Sequence, residues 1–153
     1  MPEPMPGVFL HHFTVPPAAI DANGHANNAE YVRWMQEAAT AHSDARGWTL
    51  ARYQQVGGTW VIRSHHIEYL RPAFAGEAIT LATWVGGFEA RESPRHYLFV
   101  RERDQKVLAR ARTLWVFVEA ATGRATLIPD ELRNAFALVP DESAVLRTLK
   151  GGP

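Results

Sequence analysis

The chain has 153 residues with 16 basic and 16 acidic side chains, a formal net charge of zero and no cysteine. That length suits one domain burying roughly 68–70% of its unfolded surface. The balanced charge gives no global electrostatic support for nucleic-acid binding. The missing cysteines exclude a disulfide framework, a thiol nucleophile and a Cys-based metal site, in keeping with a cytoplasmic location.

In chain order, Met1-Pro2-Glu3-Pro4-Met5-Pro6 has neither a basic flank nor an apolar core, so it reads as an extended arm over residues 1–7 instead of a signal peptide. Residues 8–15 read as a first strand stopped by Pro16-Pro17. A polar loop leads into a helix from Ala29 to about Arg46, with Tyr31, Trp34, Met35, Ala38, Ala39 and His42 on one face. Asn28 is the expected N-cap and Gly47 the stop. At about 1.5 Å per residue this helix is ~27 Å long.

The rest is strand-like. Residues 59–70 end at Arg71-Pro72, and residues 77–85 end at Gly86-Gly87. Residues 95–103 and 106–119 form a hairpin about Asp104-Gln105. Leu114-Trp115-Val116-Phe117-Val118 is apolar on both faces, as in a strand buried on each side. A short helix is expected over residues 129–136, and residues 137–153 are expected to be a peripheral tail. Strands this long run about 30–40 Å at roughly 3.3 Å per residue, which matches the helix. An antiparallel sheet would curl around it, and a second subunit is expected to cover the sheet's other face. No apolar run approaches the roughly 20 residues of a membrane helix.

The chemistry concentrates in Asp21-Ala22-Asn23-Gly24-His25-Ala26-Asn27-Asn28, where a carboxylate, an imidazole and three carboxamides precede a helix N-terminus. Backbone N–H groups there lack intrahelical partners and sit at the positive end of the helix dipole. A base or nucleophile beside an anion site is what attack of water on a carbonyl requires. His11-His12 and His65-His66 are adjacent on strands, so each pair faces opposite ways and no metal is expected. No Gly-x-Ser-x-Gly occurs, which disfavours a serine triad.

These residues and their order resemble the hotdog-fold thioesterases, in particular the 4-hydroxybenzoyl-CoA thioesterase-like branch. The resemblance runs from about Phe9 to Phe136. It rests on Asp21-x-x-Gly24, on Asn27-Asn28-x-x-Tyr31-x-x-Trp34, and on Ile67-Glu68-Tyr69-x-Arg71-Pro72. Residues 109–118, followed by Thr122-Gly123-Arg124 and Pro129, resemble the family's last strand and its exit. The resemblance implies an α+β hotdog fold over residues 8–136, a long central helix wrapped by a curved antiparallel sheet of about five to six strands. It implies hydrolysis of an acyl-CoA thioester, coenzyme A being part of the substrate and no cofactor being required. It further implies Asp21 as general base or nucleophile and the backbone N–H near Asn28 as the carbonyl-polarising group. Asn28 stands where some members carry an aromatic residue.

The Asp-x-Asn-x-His-x-Asn-Asn spacing also resembles the plant acyl-carrier-protein thioesterases, which implicates Asn23 and His25 beside Asp21. A further acidic residue of those enzymes falls near Pro72 and does not carry over. Asn27, Tyr31 and Trp60 are expected at the substrate, Trp84 and Trp115 in the core. Arg91 and Arg95, with Arg71, are expected to meet coenzyme A phosphates, because an arginine fork matches phosphate geometry. A homodimer or tetramer is expected, with no nucleic acid and no membrane partner. The alternatives are a hotdog-fold 3-hydroxyacyl thioester dehydratase or hydratase, and a non-catalytic acyl-thioester-binding protein.

Overall fold

A computed structural model describes residues 4–151. Five strands, β1 (Phe9–Thr14), β2 (Gly58–Tyr69), β3 (Ala78–Val85), β4 (Glu92–Arg101) and β5 (Lys106–Glu119), form one antiparallel sheet in the order β1-β3-β4-β5-β2. Helix α1 (Asn28–Ala45) lies in its curve, with α2 (Leu50–Val56), α3 (Asp130–Asn134) and α4 (Glu142–Gly151) at the ends and back. The strand boundaries lie within three residues of those read from the sequence, because Pro16-Pro17, Pro72 and Gly86-Gly87 interrupt pairing wherever they fall.

The helical face read from the periodicity is the face that is buried: Tyr31, Trp34, Met35, Ala38, Ala39 and His42. It packs on the concave side of the sheet against Ile79, Leu81, Tyr97 and Phe99. Trp34 tilts against Phe13 at 4.6 Å between ring centroids, and Tyr31 meets Phe99 edge-on at 5.1 Å. Ala38 on the helix and Ala109 and Ala111 on β5 are small, so the layers pack closely in this core.

Three expectations are corrected. The N-cap is Asn27, whose Oδ1 accepts the Ala29 N–H at 2.9 Å; Asn28 is the first helical residue. The C-terminal segment is not peripheral. α4 lays Val145, Leu146 and Leu149 on the convex face, over Val8, Ala82, Trp84, Leu98, Val100 and Val107. That cover accounts for much of the apolar surface on this face, and the remainder near β2 carries polar pairs such as His66 opposite Arg112 and Glu68 opposite Arg110. Of the expected N-terminal arm, residues 1–3 lie outside the described part, whereas Met5 packs against the α4 cluster. Residues 152–153 of the tail also lie outside it.

Helix α2 has no counterpart in the sequence reading. Thr49 caps it, its Oγ1 accepting from Arg52 N at 3.2 Å, and Gly57 ends it in the left-handed region at φ 73°. Gly58 then passes so close to the Phe117 ring that a Cβ there would collide with it. With α3, this turn closes a third cluster of Trp48, Val85, Phe117, Ile128, Leu132 and Phe136 at the C-terminal end of α1.

β2 is an edge strand twelve residues long. Its outer backbone groups face no other strand, and Val61 (45% exposed), Ile62 (38%) and Tyr69 (42%) leave apolar surface along it.

Candidate active site

The polar loop is a tight backbone ladder. Asp21 N donates to His25 O at 3.0 Å and Gly24 N to Asp21 O at 3.0 Å, while Ile20 and Ala26 form an isolated bridge. Gly24 sits at φ 84°, where a side chain would be strained. Ala26 N reaches Ala73 O at 2.8 Å and Asn27 N reaches Ala19 O at 2.9 Å, pinning the helix start against the segment that precedes Asp21. Asp21 and the first turn of α1 are therefore held on one short ladder.

Asp21 is partly exposed, and its Oδ1 accepts the Asn23 N–H at 2.9 Å. This bond fixes the carboxylate rotamer and leaves Oδ2 open. Asn23 acts here through its backbone, and its residue is exposed. His25 is half-buried with its ring edge-on to Phe74 at 6.5 Å. The Asn27 side chain is spent on the cap. The Asn28 N–H has no acceptor among the described residues, whereas its carbonyl takes a hydrogen bond from Tyr69 Oη at 3.1 Å. A carboxylate and an open N–H at a helix N-terminus are thus assembled by one loop. Arg71 belongs to this end too: its Nη1 donates to Val107 O at 2.9 Å, two residues before Ala73 receives Ala26.

The remaining residues expected at the substrate divide between the core beside the start of α1 and the far end of that helix. Tyr31 is a core residue, 3% exposed among Trp34, Tyr69 and Phe99, and burial pushes its hydroxyl pKa up to about 12. Arg91 is exposed at the β3–β4 connection, where its carbonyl accepts from Phe117 N at 2.8 Å. That connection abuts α3 at the C-terminal end of α1, opposite to Asp21. Arg95 is not a surface phosphate contact, because β4 alternation turns it inward under α1. The basic cluster of the second half also disperses: Arg101 pairs with Asp104 at 2.8 Å, Arg103 with Glu77 at 3.3 Å, and Arg110 with Glu142 at 3.6 Å.

Under the C-terminal half of α1 lies a cavity of about 350 Å3, walled by Trp48, Tyr53, Trp60, Trp115 and Phe136. Trp60 is where the sequence put it, between core and pocket; Trp115, expected in the core, also lines the cavity. Asp21 does not border it, since α1 advances about 21 Å from Asn28 to His42 at about 1.5 Å per residue. Nothing local in the sequence marks this cavity, which is built from α1, α2, β2, β3, β4, β5, the β3–β4 connection and the segment after α3.

A family model described as the thioesterase-like superfamily matches residues 15–136. The chain belongs to that superfamily, and its sheet wrapped on one long helix is the hotdog fold of thioester hydrolases. It is 25% identical over 118 residues to the long-chain acyl-CoA thioesterase FadM of Escherichia coli (strain K12), covering 75% of this chain and 86% of that one. It is 27% identical over 134 residues to a chloroplastic palmitoyl-acyl carrier protein thioesterase of Cuphea hookeriana, covering 83% of this chain. The chain spans only 32% of that plant protein's length. The crystal structure of a 1,4-dihydroxy-2-naphthoyl-CoA thioesterase from Synechocystis shares the fold with a TM-score of 0.77 at 19% identity, over 84% of this chain and 95% of that one. Among the described residues, no helix is long and apolar enough to cross a membrane.

Proposed function

We infer that the chain hydrolyses acyl thioesters of coenzyme A or of an acyl carrier protein. The observation that supports this reading is the backbone ladder that ties Asp21 to the first turn of α1, where the Asn28 N–H has no acceptor among the described residues. As general base, Asp21 takes a proton from water, whose oxygen bonds to the thioester carbon. The negative charge gathering on the carbonyl oxygen is met by the Asn28 N–H and the helix dipole. Collapse of the adduct breaks the C–S bond and releases acid and thiol. As nucleophile, Asp21 would attack first and form a mixed anhydride that water then opens. His25 flanks the same ladder and is suited to orient the water.

The reading includes a homodimer joined edge to edge. Two-fold pairing of β2 with the β2 of a second copy is antiparallel, and it caps the exposed backbone edge and the apolar surface at Ile62 and Tyr69. Such pairing sets the Gly58 end of one strand against the Tyr69 end of the other. The helix start of one copy then lies near the Trp60 side of the other copy's cavity, which supplies a place for the acyl group.

The test is thiol release across acyl-CoA and acyl-carrier-protein panels, run on the parent and Asp21→Asn together. Turnover by the parent and a loss of about 10²–10⁴-fold in a folded Asp21→Asn are expected. Equal rates for the two would remove Asp21 from the mechanism, and water loss from 3-hydroxyacyl esters without thiol release would make the protein a dehydratase.

A further inference from the structure

The cavity under α1 holds a charge that the hydrolysis of a plain acyl chain does not call for. Arg95 is 7% exposed and lines the cavity wall. Its hydrogen bonds run from Nη1, to His42 Nδ1 at 2.9 Å and to Thr83 Oγ1 at 3.1 Å, and its guanidinium lies 5.9 Å from the Phe136 ring centre. All three partners are neutral. His42 accepts through Nδ1, so it carries its proton on Nε2; burial, and then the charges of Arg95 and Arg46, hold its pKa down to about 3. Among the described residues, no carboxylate lies within ion-pair distance of Arg95. A guanidinium stays protonated even when burial works against it.

Of the other polar groups of the inner wall, the buried Trp115 Nε1 has no hydrogen-bond partner among the described residues, whereas most of the rest are bonded within the protein. Trp60 Nε1 donates to Tyr53 Oη at 3.1 Å, and Ser43 Oγ donates to Trp48 O at 2.6 Å. Ser43 Oγ lies 3.0 Å from Tyr53 Oη, which leaves the tyrosine to donate there. Ser93 Oγ donates to Gly87 O at 2.7 Å. The only acidic side chain on the lining, Asp44, is exposed at the rim with Gln36 and Thr40. The interior is thus an aromatic box with one buried, uncompensated cation. A buried charge is tolerated when it is paired, and the protein supplies no partner. A planar carboxylate matches the fork of an arginine and carries the missing charge.

We propose that this cavity binds the remote end of an acyl group that terminates in a carboxylate, with Arg95 as its counter-ion. The substrate class is then the half-thioester of a dicarboxylic acid, straight-chain or aromatic. The anion site stands on the cavity alone; its assignment to an acyl group rests on the thioesterase reading.

Two measurements separate these. In the first, benzoate and hexanoate are titrated into the whole protein against the uncharged isosteres benzamide and hexanamide, following tryptophan fluorescence from Trp48, Trp60 and Trp115. The carboxylates are expected to bind at least tenfold more tightly than the amides, and Arg95→Gln should erase the difference. Thr59→Phe, at an exposed lining position, should block binding with Arg95 still in place, which covers the case of Arg95→Gln failing to fold. Equal affinity for acids and amides, or no binding of either, overturns the anion site.

In the second, kcat/KM is compared for adipyl-CoA and hexanoyl-CoA. A preference of at least tenfold for adipyl-CoA, reduced at least tenfold by Arg95→Gln, is expected. Equal efficiencies overturn the assignment to the acyl group. Failure to hydrolyse either ester while benzoate still outbinds benzamide removes the thioesterase reading and leaves the anion site standing.

Discussion

The two ends of α1 solve opposite problems with the same helix. At its start the polar groups are exposed or half-exposed, and a backbone ladder of consecutive residues holds them. At its end the polar groups are buried among aromatic rings, and His42, Thr83 and Arg95 come together from α1, β3 and β4. The first end is a place where charge can develop against water and an open N–H. The second is a cavity lined by aromatic rings, with a buried guanidinium in its wall. In the proposed function, chemistry and recognition are kept apart within one copy of the chain, about 21 Å along the axis at about 1.5 Å per residue, and the proposed β2 pairing brings one copy's start to the other copy's cavity.

The contrast can be broken most severely at the start. Asp21→Asn is expected to lower turnover about 10²–10⁴-fold, the range for a positioned acid or base, with an unchanged unfolding midpoint; thiol release and chemical denaturation check both halves. Next comes the link between the ends. Ile62→Glu places charges on the β2 edge, so size-exclusion chromatography should show monomers, and turnover should fall with dimer content. Dimers that persist, or monomers as active as the parent, would break the assignment of the cavity to the neighbouring copy's site.

A pH experiment sharpens the buried end. The folded pKa of His42, about 3, lies below its unfolded value of 6.5, so the unfolded chain takes up the proton first as pH falls. The stability contribution is complete above pH 6.5 and declines toward pH 3, at about 1.4 kcal/mol per pH unit for one such group. His42→Gln, which keeps an acceptor for Arg95, should flatten the slope in urea titrations between those limits. An unchanged slope would mean that other groups govern the acid limb, His65 and His96 also being lowered by burial.

The smallest effect belongs to the cap. Asn27→Ala should cost about 1 kcal/mol of stability, measured by thermal unfolding. Asn28→Ala should reduce turnover far less than Asp21→Asn, because the N–H proposed to polarise the carbonyl belongs to the backbone.

How much of this was legible follows from where each signal resides. The buried face of α1 could be read because helical periodicity alone fixes which side chains share a face. The loop could be read because its chemistry is contiguous. The cap lies one residue before the expected Asn28 because the first helical residue is decided by one dihedral angle, which composition does not show. Helix α2 is not legible although Thr49 and Gly57 bracket it, because seven residues are too few for a periodic pattern. α4 differs from the expected peripheral tail because Val145, Leu146 and Leu149, though at helical spacing, find their partners only on the folded convex face.

By itself the sequence determined the family, the strand–helix–four-strand order and the polar loop at the start of α1, since each depends on local spacing and propensity. Only the tertiary structure decided that α4 covers the convex face and that Arg95 is a buried cation in an aromatic cavity. Those facts depend on which distant segments exclude water from one another. Burial of that kind is set by the packing of layers and cannot be read from any one stretch of chain.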